Sequence, residues 1–100
     1  MTSANTVTAT VVCRAKSGQE AGLETSLRQL ITQSRQEDGC LLYEILKSKR
    51  NPGEYLLLMK WRDRPACEQH LHQSHVRNFS QVVAPKYLAE PFNLDFWISV

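Results

Sequence analysis

Three histidines fall within six positions, at His70, His72 and His75. Imidazole is the side chain whose ordinary pKa lies nearest neutrality, so each is a candidate to accept or donate a proton there. His70 is the best placed of the three. Two apolar runs upstream flank an Asn51-Pro52-Gly53 turn, and that hairpin delivers Tyr43 and Trp61 to a sheet. The segment that follows then lays His70 over the sheet. The histidines also raise the question of a metal. Positions 70 and 72 point away from each other on a helix, and the only acid at a matching step is Glu68, so the spacing argues against a metal site. His72 reads as solvent-exposed.

Other chemistry-bearing residues read as structural. Arg35 and Glu37 sit near the end of a helix beside Gly39 and read as a surface ion pair, a type that is common and individually weak. Cys13, Cys40 and Cys67 are odd in number and widely spaced. That excludes a disulfide framework and a Cys-x-x-Cys zinc site, and it points to small buried residues in a reducing, cytoplasmic setting.

The elements that must position these residues follow from periodicity. Thr6 to Ala15 reads as a strand with Val7, Ala9, Val11 and Cys13 on one face. Gln19 to Glu37 reads as a helix, with Leu23, Leu27, Leu30, Ile31 and Ser34 forming one stripe. Ser17 is its expected N-cap, with Glu20 completing a capping box, and Gly39 its expected left-handed C-cap.

Strands over 40–47 and 54–61 form the hairpin. Its loop length predicts Tyr43 opposite Met59 and Leu41 opposite Trp61. One face then carries Leu41, Tyr43, Ile45, Tyr55, Leu57, Met59 and Trp61. The other carries Leu42, Leu46, Leu56 and Leu58, broken by Glu44 and Lys60. Both faces are apolar, so helices should cover one and a partner's sheet the other.

Asp63 is the expected N-cap of a short helix over 66–73. Ser74 is expected to cap a second helical piece running to about Tyr87, with Val76, Phe79, Val82 and Val83 inward and Pro85 ending it early. A last strand is expected over 93–100. The order is β-α-β-β-α-(α)-β. This is an α+β, ferredoxin-like split β-α-β arrangement: a four-stranded antiparallel sheet with helices on one face, in one domain over residues 1–100.

Composition sets outer bounds. Hydrophobic residues make up 42% and charged residues 22%, with a net charge of +2 and no basic block, which argues against a nucleic-acid binder. No apolar stretch reaches the ~18 residues of a membrane span, and no secretory signal is visible. No flavin, haem, nicotinamide or phosphate-loop motif is present.

Taken together, several pieces resemble the antibiotic biosynthesis monooxygenase domain, a family of small dimeric α+β barrels that includes cofactor-free quinol and anthrone oxygenases. They are Ser34-Arg35-Gln36-Glu37-Asp38-Gly39-Cys40-Leu41-Leu42-Tyr43, the Asn51-Pro52 turn, Trp61, Ala66 followed by His70, and Ser74-His75 with Phe79. The resemblance implies a homodimer with sheets packed face to face and a pocket in each subunit between sheet and helices. The pocket positions it implies are Tyr43, Trp61, His70 and His75. Many members carry a Glu two residues before the aromatic that ends strand three. Here that slot is Met59.

The expected activity is a cofactor-independent, metal-free monooxygenation of a small aromatic or quinol-like substrate by O2. His70 is the proton acceptor, and Tyr43, Leu57, Met59, Trp61, His75 and Phe79 line the substrate site. Two alternatives share the fold. One is an isomerase of a small sugar-derived or signal-molecule phosphate, with Arg35, Lys47 or Lys49 at the mouth. The other is a non-enzymatic dimeric binding or stress protein.

Overall fold

The computed structural model describes residues 5–100. Four strands are present: β1 (Val7–Arg14), β2 (Cys40–Lys47), β3 (Glu54–Trp61) and β4 (Leu94–Trp97). They form one antiparallel sheet in the order β2-β3-β1-β4. The helices are α1 (Glu20–Ser34), α2 (Arg64–Leu71), α3 (Ser74–Asn78) and α4 (Ala84–Tyr87), with a π-helical turn over Phe79–Val83 between the last two. The expected α+β, ferredoxin-like arrangement is therefore the one found. No helix among the described residues is long and apolar enough to cross a membrane.

The alternation of β1 puts Ala9, Val11 and Cys13 into the core. Leu23, Leu27, Leu30, Ile31 and Ser34 of α1 cover that same face. Each fully buried Leu or Ile contributes roughly 1.5–3 kcal/mol. From the hairpin, Tyr43, Tyr55, Leu57, Met59 and Trp61 are buried and Ile45 is half-buried. Tyr43 does pair with Met59.

Several boundaries differ from expectation. Cys40, not Leu41, sits opposite Trp61, because the ladder shifts register between Cys40 and Leu42. Leu41 is thereby pushed out and is 59% exposed. The bulge inserts one residue, which moves that side chain off the buried face. Helix α1 starts after Gln19 with no side-chain cap, so the capping box at Ser17 and Glu20 is not formed. It also ends earlier, at Ser34, and Arg35 as its C-cap stays right-handed. Gly39 does take a positive φ of 88°, but in the turn that enters β2.

Asp63 caps α2 as expected, accepting from the Ala66 N–H at 2.9 Å. The N-cap of α3 is Gln73, not Ser74, and its side chain makes no cap bond. In the π turn, the Ala84 N–H reaches the Phe79 carbonyl five residues back. This widened turn precedes Pro85, which has no N–H to give to a regular helix. The shift leaves Val82 exposed, while Phe79 is buried and Val76 and Val83 are half-buried. Strand β4 is shorter than expected. Of its alternating residues, Leu94 packs on the core, whereas Phe96 is 54% exposed and Ile98 lies beyond the ladder.

Candidate functional site

The turn from α1 into β2 and the first turn of α2 touch. A Cβ at Gly39 would stand 2.6 Å from the Ala66 Cβ, so only glycine admits this approach. The Arg62 N–H fixes it from the other side by donating to the Gly39 carbonyl at 2.7 Å. Glu37 lies two residues before Gly39, and His70 one helical turn after Ala66. The close approach therefore carries a carboxylate to an imidazole. The His70 Nδ1–H donates to Glu37 Oε2 at 2.8 Å.

A second histidine reaches the same oxygen. His75 Nε2–H donates to Glu37 Oε2 at 2.7 Å. In an unbroken helix, residues five apart lie on different faces. Here α2 ends at Leu71 and Gln73 is extended (φ −68°, ψ 147°). The break turns His75 back beside His70, with ring centroids 6.3 Å apart. A carboxylate only accepts, so both nitrogens facing it carry hydrogens, and in the neutral His70 ring Nε2 is left as the acceptor. His70 is 2% exposed, and the Glu37 and His75 side chains are 11% and 12% exposed.

Burial lowers the pKa of His70 below its ordinary value, with Glu37 pulling the other way. The ring is thus held neutral near pH 7, in the form that accepts a proton. Beneath it lies Trp61, whose ring centroid is 4.4 Å away at a tilt of 32°. Tyr43 meets it edge-on at 5.9 Å. Burial pushes the Tyr43 phenol well above its usual value, so this tyrosine is no proton acceptor.

His70 forms part of the wall of a cavity of about 120 Å³ between sheet and helices. Tyr43, Leu57 and Met59 line it from the sheet, and Leu30, Val76 and Phe79 from the helices. Tyr43, Leu57, Met59, His70 and Phe79 are thus brought together as expected. Trp61 and His75 are not in this wall: Trp61 is 0% exposed behind His70, and His75 opens onto a separate polar groove with Gln33, Gln36 and Gln73. Glu37 therefore stands between an apolar cavity and a polar surface.

Reading Arg35 and Glu37 as a surface ion pair missed this arrangement. Arg35 instead donates from Nε and Nη2 to the Tyr43 carbonyl, at 2.9 and 2.7 Å. The available signal was the pairing of Gly39 with the small Ala66, which brings the two turns into contact. Among the described residues, Glu37, His70 and His75 are also the group that could hold a metal ion, their ligand atoms lying within 4.8 Å of one another. The acid that spacing along the helix did not supply comes from the turn after α1.

No Lys or Arg lines the cavity. Of the basic residues considered for a phosphate mouth, Arg35 is committed to a carbonyl and Lys47 pairs with Glu24 at 3.2 Å. Lys49 is exposed in the hairpin turn.

Residues 6–82 match the family model described as antibiotic biosynthesis monooxygenase. Rv0793 from Mycobacterium tuberculosis, provisionally named a monooxygenase, is 34% identical over 59 residues. That match spans 59% of this chain and 57% of the relative. The solved structure of the same mycobacterial protein overlays with a TM-score of 0.86 at 25% identity, covering 95% of each chain. A Pseudomonas aeruginosa protein of solved structure, PA3566, gives a TM-score of 0.88 at 26% identity over 100% of this chain and 99% of its own.

Proposed function

The chain belongs to the antibiotic biosynthesis monooxygenase family, and from that premise we propose that it oxygenates a small phenolic or quinol-like substrate, with His70 as the proton acceptor. One observation carries this reading. A neutral, buried imidazole is fixed by a carboxylate at Nδ1, leaving Nε2 as the acceptor, and the ring is part of an apolar cavity wall.

The chemistry asks little of the protein. A quinol gives its hydroxyl proton to His70 Nε2 and becomes an electron-rich anion. The imidazolium is stabilised by Glu37. The anion supplies the electrons that reduce O2. One oxygen atom enters the ring and the other leaves as water, so quinol plus O2 gives hydroxyquinone plus water. His70 then returns its proton during water formation. Tyr43, Leu57, Met59 and Phe79 hold the ring in a dry site, where the anion is not quenched by solvent. The uncharged wall suits a neutral ring better than a phosphate ester, which needs a cationic mouth.

The sheet face turned away from the helices supports a homodimer. Leu46, Leu56 and Val12 stand in one cross-strand row on it, and Leu46 and Val12 are 45% and 42% exposed. Packing against the same face of a second copy would remove that row from water.

The test is oxygen uptake by chelator-treated protein with a panel of quinols and anthrones, beside His70→Ala and His70→Gln. The expected result is uptake above autoxidation that collapses in both variants while their circular dichroism is retained. Uptake unchanged in folded variants would remove His70 from the role. No uptake with any compound would overturn the oxygenase reading.

A further inference from the structure

The cavity beside His70 is too small to be the whole substrate site. Ligand sites usually span about 300–1,000 Å³, whereas this cavity offers about 120 Å³. For scale, an apolar cavity of roughly 150 Å³ holds one benzene molecule. The enclosed space beside His70 is thus no more than a single six-membered ring requires and is too tight for a fused pair.

A second space adjoins it. An open groove of about 360 Å³ runs along the segment between α4 and β4. Two residues line both spaces, Ser80 of the π turn and Phe92. Phe92 packs on Phe79 of the cavity wall, with ring centroids 5.3 Å apart. Beyond Phe92 the groove is walled mainly by Ala84, Pro85, Leu88 and Pro91. Cavity and groove together reach the volume of an ordinary ligand site, and both are largely apolar.

Resting on the oxygenase reading, we propose that the substrate is a single-ring phenol or quinol bearing an apolar chain. The ring occupies the cavity beside His70. The chain passes between Ser80 and Phe92 and lies in the groove, where it decides affinity. Phe92 is thereby a specificity-determining residue. Selection is for one ring with a long substituent, against unsubstituted rings and against fused polycyclic compounds.

The test is binding without turnover. Methyl-, butyl- and octyl-hydroquinone are titrated anaerobically by calorimetry into the protein, into Ala89→Trp and into Ala84→Trp. Ala89 is exposed on the groove wall, so its replacement fills the groove with little risk to the fold. The expected result is affinity rising at least about tenfold from methyl to octyl, as burial of several methylenes requires. Either tryptophan should abolish that rise, and Ala89→Trp should leave methyl-hydroquinone binding unchanged. If methyl-hydroquinone binds and chain length adds nothing, or if the rise persists in both variants, the two-part site is overturned and the ring site stands. If no hydroquinone binds at all, the two-part site is overturned, and oxygen uptake with the wider panel decides the oxygenase reading separately.

Discussion

The Nδ1–H of His70 and the Oε2 of Glu37 lie 2.8 Å apart, although 33 residues separate them in the chain. This bond decides which nitrogen of the ring is free. With Nδ1 committed as a donor to the carboxylate, Nε2 is the acceptor, so the tautomer suited to taking a substrate proton is fixed before substrate arrives.

Glu37→Gln should therefore separate shape from charge. The amide keeps the size of the side chain but no longer stabilises an imidazolium, and it can turn its NH2 toward the ring and favour the wrong tautomer. The expected outcome is a drop in kcat of at least about 10-fold with KM little changed, since carboxylates behind metal-bound imidazoles are worth about 10- to 100-fold and the one behind a general-base histidine up to about 10,000-fold. Glu37→Ala should in addition lower stability by about 1–3 kcal/mol, because the buried Nδ1–H is left without a partner. Steady-state kinetics and urea unfolding check the two parts.

A pH dependence follows from the same ring. Burial lowers the His70 pKa from its ordinary 6.5, with Glu37 opposing. The neutral form is thus favoured in the folded state. Stability from this group is fully present above about pH 6.5 and is lost as pH falls from there through the lower folded value. Activity should share the sign, with kcat/KM falling on the acid side and its midpoint below 6.5. Unfolding midpoints and kcat/KM between pH 4.5 and 8, measured beside His70→Gln, check this. The variant should lose this component of the acid-side fall in stability.

Gly39→Ala should be costly for its size. Glycine takes a φ of 88° there, and an added Cβ would meet the Ala66 Cβ at 2.6 Å. A non-glycine residue in that backbone region costs about 1–3 kcal/mol before any clash is counted. Both partners of the clash sit on the turns that carry Glu37 and His70. The expected outcome is a stability loss of at least about 2 kcal/mol together with a loss of turnover. Gly18 gives the control, since it too has a positive φ, of 81°, but its Cβ would meet nothing within 4 Å. Gly18→Ala should lose stability and keep kcat, which urea unfolding and oxygen uptake would show.

How far the sequence revealed this molecule varied with the range of the interactions. Period-two and helical patterning located β2 and β3 to the residue and identified the buried stripe of α1, because those patterns repeat local geometry. The Tyr43–Met59 pairing followed from turn length alone. Other details depended on events that patterning does not register. The bulge that exposes Leu41 adds one residue to a strand, and the π turn that exposes Val82 and the extended Gln73 that returns His75 to Glu37 change the helical repeat. His70 was legible as a candidate because the segment after the hairpin lays it over an aromatic sheet and, above all, because the family resemblance implied a pocket there. Glu37 was not, because its partner lies in a distant segment, and an acid near a helix end beside an Arg has an ordinary local explanation.

The last prediction concerns the outer face of the sheet. Leu56 is half-buried near the start of β3, between Val12 of β1 and Leu46 of β2. All three side chains point away from the helices, and one polar contact on this face, Trp97 Nε1–H to Thr10 Oγ1 at 2.6 Å, joins β4 to β1. If a second copy covers the face, an aspartate at position 56 must be buried without a partner in the dimer but stays hydrated in the monomer. Leu56→Asp should then yield a folded monomer, and the wild-type chain a dimer, by light scattering during gel filtration. Its core-facing neighbours Tyr55 and Leu57 are untouched, so circular dichroism should be retained. Wild-type protein that elutes as a monomer would overturn the sheet-to-sheet pairing, and so would a variant that stays dimeric.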